Sequence, residues 1–460
     1  MAATSLVEVI VIDTPSLGDR SYLAHDGQYA VVVDAQRDID RVLELIAARG
    51  LRVTHVLETH IHNDYVTGGY ALARKVGAQY VVSADDQVSF ERLAVRDGDI
   101  LEVGPRMRVR VVHTPGHTFT HLSYVLEADG GPVGVFTGGS LLYGSTGRPD
   151  LLGADHAVTL ARKQYGSVRR LAAELPADTP IYPTHGFGSF CSATQCAGSA
   201  STIAAEAKVN PALTQGEEEF VATLLAGLDA YPAYYAHMAP ANSAGPAEPD
   251  LSAPKPADPA ELRRRIEAGE WVVDLRNRTA FAAGHLRGTL NFELSDSFIT
   301  YLGWLIPWGT PVTLLGETAE DVAAAQRQMV RIGIERPAAA ATGRPEDWAG
   351  DEALDSYPTA TFADLAERFR RGDALVVLDV RRNDERRQSH VEGSRHIPIH
   401  ELPARLDEVP RGRPVWVHCA GGYRAAVAAS LLRRAGVDVV AVDDGYESAR
   451  TAGLPLAQAA

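Results

Sequence analysis

The sequence predicts an α/β protein of several modules: a β-rich α/β module, a linker, and a duplicated α/β module built on parallel sheets. Three observations predict it. Runs rich in β-formers at residues 7–12, 29–33, 53–57, 79–82, 108–112 and 122–126 alternate with turn residues and with helical stretches such as 38–49. Between residues 239 and 260 the composition shifts to Ala, Pro, Ser and Asp, which reads as a semi-extended linker. Beyond it the sequence repeats itself. Trp271-Val272-Val273-Asp274-Leu275-Arg276 matches Val376-Val377-Leu378-Asp379-Val380-Arg381, and the same offset of 105 residues separates His285 from His390.

A length of 460 residues suits about three cores at roughly 100–200 residues each. Hydrophobic residues make up 45% and charged residues 22%, which is globular composition. No segment approaches the ~20 consecutive apolar residues of a membrane span. The apolar run at 7–12 is interrupted by Glu8 and has no basic flank, so it reads as a first strand and not as an export signal. Three cysteines are too few for a disulfide framework and point to reduced thiols in the cytoplasm. A net charge of -15 argues against nucleic-acid partners, because phosphate binding needs a basic face. The expected partners are small molecules, with no membrane contact; a homo-oligomer is compatible with the sequence.

In the second copy the apolar strand at 415–418 runs straight into Cys419. A helix-forming stretch, 425–434 with Gly436 beyond it, begins just after Arg424. In Cys419-Ala420-Gly421-Gly422-Tyr423-Arg424, successive backbone N–H groups and the helix N-terminus can curl around one sulfur and stabilise a thiolate or a persulfide. The glycines permit the curl. Arg424 adds a fixed positive charge for an anionic donor. These residues, with the Asp379-x-Arg381 strand end and the turn at His390, resemble the rhodanese family of sulfurtransferases across the whole second copy. The resemblance implies Cys419 as nucleophile, Arg424 beside it, and Ala420, Gly421, Gly422 and Tyr423 as the substrate-binding loop. Four residues between Cys and Arg are one fewer than a phosphatase cradle needs, so sulfane sulfur is expected in place of phosphate. In the first copy the equivalent strand ends in Gly316-Glu317 with no cysteine, which resembles inactive rhodanese copies with a scaffold role.

Upstream, Thr59-His60-Ile61-His62-Asn63-Asp64-Tyr65 follows the strand at 53–57, and short spacing lets two imidazoles converge on one ion. His117 in Thr114-Pro115-Gly116-His117 and His185 in Tyr182-Pro183-Thr184-His185 follow comparable turns. His60, His62, Asp64, His117 and His185 are therefore candidate metal ligands, whereas His55, His113 and His121 read as packed or surface residues. This set, with Gly147-Arg148-Pro149-Asp150 and Asn210-Pro211, resembles the metallo-β-lactamase superfold, and within it the persulfide dioxygenases and the related glyoxalase II thioesterases. The resemblance implies an αββα sandwich, a mononuclear non-haem iron on two histidines and one carboxylate, and fusion to rhodanese domains. Two positions depart from the family: Tyr65 replaces a histidine, and Gly139 replaces the carboxylate ligand. Three cofactor readings follow: iron completed by His62 or water, zinc on His60, His62 and His117 with Asp64 and His185 outside the coordination, or a degenerate site without metal. Arg148 has two readings, a binder of a thiol substrate's carboxylate or a surface arginine paired with Asp150. Cys191 and Cys196 read as buried or idle, the alternatives being a redox pair or sulfur acceptors near the metal.

The expected order is a metallo-β-lactamase-fold domain at 1–245, a linker at 246–258, an inactive rhodanese-like domain at 259–350 and an active rhodanese domain at 357–458. The expected activity is metal-dependent oxidation of a glutathione-type persulfide to sulfite, coupled to sulfur transfer through Cys419 with persulfide, thiosulfate or a thiol as small-molecule partner. The alternatives are a sulfurtransferase carrying a degenerate scaffold, a glyoxalase II-type hydrolase, and a non-enzymatic persulfide carrier.

Overall fold

Alternating burial along the N-terminal strands builds two sheets that face each other. The computed structural model describes residues 7–196 and 198–458; residues 1–6 of the expected first domain lie outside them. Strands β1 (Glu8–Thr14), β2 (Asp19–His25), β3 (Tyr29–Val33), β4 (Arg52–Leu57), β5 (Gln79–Ser83) and β6 (Leu93–Val95) form one sheet in sequence order. Strands β7 (Ile100–Gly104), β8 (Met107–His113), β9 (Leu122–Ala128), β10 (Gly131–Gly138), β11 (Pro180–Pro183) and β12 (Ser201–Thr202) form the other. Tyr22, Val31, Leu57 and Val81 of the first sheet pack on Val109, Leu122, Tyr124 and Phe136 of the second. The outer face of the first sheet buries helices Asp40–Arg49 and Gly69–Val76 through Val32, Val56, Val42 and Leu72. The outer face of the second buries Ala154–Glu174 and Glu217–Ala226 through Val125, Ile181, Val168 and Phe220. Helix, sheet, sheet, helix is the expected αββα sandwich.

The chain divides into two units, Met1–Asp250 with Met329–Gly333, and Leu251–Gln328 with Ile334–Ala460. One expectation about the first unit needs correction. The Ala- and Pro-rich composition from residue 239 suggests extended linker, yet helix Tyr235–Ala244 continues through Pro240 and ends at Gly245, whose φ of 82° is left-handed. Tertiary contacts override composition here. Tyr235, Met238 and Asn242 are buried, and the Asn242 side chain donates to the carbonyls of His62 (2.9 Å) and Tyr65 (2.8 Å) while accepting from Thr67 N–H (2.8 Å).

In the second unit each sequence copy has its own parallel sheet. The first contains β13 (Trp271–Asp274), β14 (Leu290–Asn291), β15 (Val312–Gly316) and β16 (Ala339–Thr342) in the order β14-β13-β15-β16. The second contains β17 (Thr359–Ala360), β18 (Val376–Asp379), β20 (Arg395–His396), β21 (Val415–His418) and β22 (Val439–Val442) in the order β17-β22-β21-β18-β20, with β19 (His390–Val391) and β23 (Leu456–Ala457) paired separately. The repeat extends to side chains. Arg276 clamps Asp274 and donates to Gly284 O at 2.9 Å, as Arg381 clamps Asp379 and donates to Ser389 O at 2.7 Å. The Asp-x-Arg motif thus ties the strand end to the following turn in both copies. Among the described residues no helix is long and apolar enough to cross a membrane.

Candidate functional site

Strand β21 ends at His418, and helix Tyr423–Arg434 begins four residues after Cys419. Gly422 stands between them at a φ of 93°, a conformation that an L side chain resists, and its N–H points at Cys419 Sγ from 3.1 Å. Tyr446 N–H holds the loop through Ala420 O at 2.9 Å. Cys419 is 2% exposed, so water competes little for its sulfur. Tyr423 donates to Glu293 O at 3.3 Å and packs on Tyr301 of the cysteine-less copy, with ring centroids 5.7 Å apart. Tyr301 lies within electrostatic reach of both Arg424 and Cys419. Both terminal nitrogens of Arg424 are engaged by Glu385, at 2.6 and 2.8 Å. Burial works against ionisation of Glu385, and the Arg424 pair outweighs it, holding the carboxyl below its ordinary value. The first copy ends β15 at Gly316 and offers no thiol there.

The loops after β4, β8 and β11 bring His60, His117 and His185 together, and all three are buried. Each is fixed through Nδ1. His60 meets Thr59 Oγ1 at 2.9 Å, His117 meets Arg148 O at 2.9 Å, and His185 meets Asp19 Oδ1 at 2.9 Å. Two of the other nitrogens meet. His60 Nε2 and His185 Nε2 are 3.4 Å apart, and His117 Nε2 is buried without a hydrogen-bond partner. Imidazoles pinned at Nδ1 with Nε2 directed inward are the arrangement of histidine metal ligands. Burial lowers His117 to about 3, with His185 adding to the effect, and holds His60 well below its ordinary value. Both are thus neutral, the form that ligates. At His185, Asp64 and Asp19 overcome burial and raise the ring well above its ordinary value, so these surroundings favour a cation.

His62, in the same cluster, has carboxylate neighbours of its own. Its Nε2 lies 3.2 Å from Asp34 and 3.3 Å from Glu58, and these carboxylates overcome burial to raise it to about 9. Its ring stacks on Tyr65, which stands where the family's motif ends in a histidine. His62 still offers a ligand atom within 4.8 Å of those of His60 and His185. Asp64 Oδ2 lies 3.2 Å from His185 Nδ1, and its Oδ1 is buried without a hydrogen-bond partner. At Gly139 a Cβ would stand 2.3 Å from the His117 ring, so that ring occupies the space a carboxylate ligand needs. Gly139 N–H donates to His121 Nε2 at 3.0 Å, which gives His121 a supporting role.

Arg148 is paired with Asp150 as one reading expects, but it is not on the surface. It is 3% exposed and makes hydrogen bonds to both Asp150 oxygens, to Phe190 O and to Asp229 O, over the ring of Tyr231. Its guanidinium is a clamp, with little left for a substrate carboxylate. Cys191 is fully buried, and its sulfur lies within 4.8 Å of ligand nitrogens of His117 and His185. Cys196 is part-buried. Sequence reasoning did not find Asp19, Asp34 or Glu58; the one local signal was Asp34 at the end of β3, with a φ of 52°. The His/Asp cluster as a whole suggests a metal site.

The description of the Metallo-beta-lactamase superfamily matches residues 10–185, and that of the Rhodanese-like domain matches residues 361–452. Persulfide dioxygenase ETHE1, mitochondrial, of Homo sapiens is 33% identical over 211 residues, covering 45% of this chain and 72% of that protein. A probable metallo-hydrolase of Burkholderia pseudomallei is 33% identical over 213 residues, covering 40% of this chain and 68% of that protein. A metallo-beta-lactamase crystal structure from Staphylococcus aureus superposes with a TM-score of 0.66 at 27% identity, covering 74% of this chain and 99% of that one. With its αββα sandwich and its histidine cluster, the chain belongs to the metallo-β-lactamase superfamily, as a homologue of the persulfide dioxygenase ETHE1 fused to a C-terminal rhodanese-like domain.

Proposed function

We propose that the chain processes sulfane sulfur, with sulfur transfer through Cys419 at its C-terminal end. The observation that carries this reading is the Gly422 N–H aimed at Cys419 Sγ from the start of a helix. The Cys419 thiolate attacks the outer sulfur of thiosulfate or a persulfide. The donor's S–S bond breaks, its electron pair leaves with sulfite or a thiolate, and a Cys419 persulfide remains. An acceptor thiolate or sulfite then takes the terminal sulfur and restores Cys419. The loop amides and the helix N-terminus hold the anionic sulfur throughout.

For the N-terminal unit we propose metal-dependent oxidation of a low-molecular-weight persulfide of the glutathione type, supported by the convergence of His60, His117 and His185. A bound iron would supply open positions for oxidising the persulfide with O₂ to sulfite, and zinc is the alternative ion. Thr59, the Arg148 carbonyl and Asp19 hold the three rings through Nδ1. A dinuclear thioester hydrolase would need the bridging carboxylate that Gly139 lacks and the histidine that Tyr65 replaces. Three free cysteines suit a reducing, cytoplasmic setting.

Metal analysis of the purified protein, O₂ uptake with glutathione persulfide, and thiosulfate turnover test the two halves separately. About one iron per chain with O₂ uptake is expected; metal-free protein without uptake sinks the oxidation and leaves a sulfurtransferase on a scaffold. Turnover that survives Cys419→Ser refutes the nucleophile. A stable persulfide on wild-type protein without turnover would make the chain a carrier.

A further inference from the structure

Gly139 leaves the histidine cluster without the carboxylate its fold family uses, and the His117 ring fills the vacated space. A different side chain approaches from the opposite loop. Cys191, His117 and His185 are each 0% exposed, and their ligand atoms lie within 4.8 Å of one another. His117 Nε2 is aimed into this cluster without a hydrogen-bond partner.

The loop that carries Cys191 is built to the same support as His117. His117 Nδ1 donates to Arg148 O at 2.9 Å, and Arg148 N–H donates to Cys191 O at 2.8 Å, so one residue fixes both. The Arg148 guanidinium also holds Phe190 O at 3.2 Å, next to the cysteine. Cys191 N–H donates to Ser189 Oγ at 3.1 Å, and Gly147 bridges Ser192. The thiol is therefore held on both sides by the turn that orients a histidine ligand.

We propose that Cys191 is a metal ligand in this protein, its thiolate joining His117 and His185 in a two-nitrogen, one-sulfur site for a thiophilic divalent ion. The inference rests on the metal reading of the N-terminal unit. Thiolate and imidazole together favour zinc, iron or cobalt over hard cations. On binding, the Cys191 S–H bond gives way to a metal–sulfur bond, and the proton leaves to solvent.

Cobalt(II) titrated into metal-free, full-length protein tests it. The expected result is one cobalt per chain with a sulfur-to-cobalt charge-transfer band in the near ultraviolet. That band persists in Cys419→Ser and is lost in Cys191→Ser and Cys191→Ala, with affinity falling by more than about tenfold, since even outer partners of a ligand are worth that much. X-ray absorption on zinc-loaded wild-type protein needs no substitution and should find one sulfur at ~2.3 Å. A shell of nitrogen and oxygen alone, or a band that survives in Cys191→Ser, overturns the thiolate while leaving the metal site. Failure to bind cobalt or zinc at all overturns both.

Discussion

Replacing Gly422 with alanine should cripple the Cys419 loop while leaving the cysteine in place. Gly422 sits at a φ of 93°, and a left-handed conformation costs an L residue about 1–2 kcal/mol. The added Cβ would also stand 2.1 Å from Asp443 Oδ1 and 3.0 Å from Arg278 Nε. Those two groups form a part-exposed ion pair at 2.6 Å, whose disruption adds up to about 1 kcal/mol. The stability loss is therefore about 1–3 kcal/mol. Relieving the clash also swings the Gly422 N–H off Cys419 Sγ, and a hydrogen bond to a charged group is worth about 1.5–3 kcal/mol. The alkylation rate of Cys419 at neutral pH, read site by site by mass spectrometry, should fall at least about tenfold, and thiosulfate turnover with it. Gly421→Ala is the control. No atom lies within 4 Å of a Cβ built at Gly421, so that variant should match the wild type in alkylation rate. Equal alkylation rates for Gly422→Ala and Gly421→Ala would refute the role given to the loop amide.

Three other outcomes follow from individual groups. His418 and Arg381 outweigh burial and hold Asp379 at about 2, below its ordinary 3.8. Its contribution, about 2 kcal/mol, is thus full above the ordinary value and is lost as pH falls toward 2. The stability gap between wild type and Asp379→Asn in denaturant melts should narrow by that amount between about pH 5 and pH 2; a constant gap contradicts the assignment. Gly139→Asp should not restore a carboxylate ligand, because its Cβ would meet the His117 ring at 2.3 Å. Overpacking of about 1–3 kcal/mol should appear as a lower melting temperature with no gain in metal affinity, and tighter metal binding would contradict this. Arg148→Ala strips a buried partner from Asp150 and leaves the Phe190 and Asp229 carbonyls without their donor. It should cost about 3 kcal/mol or more in a thermal melt, whereas an unchanged melt with a raised KM for glutathione persulfide would return Arg148 to substrate binding.

Features legible in the sequence are those whose meaning is local. A strand running into Cys419, two glycines and a helix start lie within a few residues, and the backbone carries them to the observed loop with Gly422 N–H on the sulfur. The repeated Asp-x-Arg motif was legible for the same reason: Arg276 and Arg381 each turn back on a carboxylate two residues away. The histidine motifs gave away the edge of the sandwich on which the cluster forms, but not which rings converge there.

What only the tertiary structure decided is the direction each side chain takes when its partners come from distant segments. His62 meets Asp34, 28 residues upstream, and Glu58 while staying beside His60 and His185, and Asp19 pins His185 from 166 residues off. Asn242 stands in a stretch whose composition reads as linker, yet it holds the carbonyls of His62 and Tyr65 across 180 and 177 residues. Gly139 is visible in the sequence as a missing ligand; that His117 fills its space and that Cys191 stands near is not. The sequence by itself determined the family of fold, the repeat and the loop around Cys419, because short-range backbone geometry suffices for them. The composition of the buried cluster was left to long-range packing, since ions and imidazoles removed from water must find whichever partners the folded chain brings within reach.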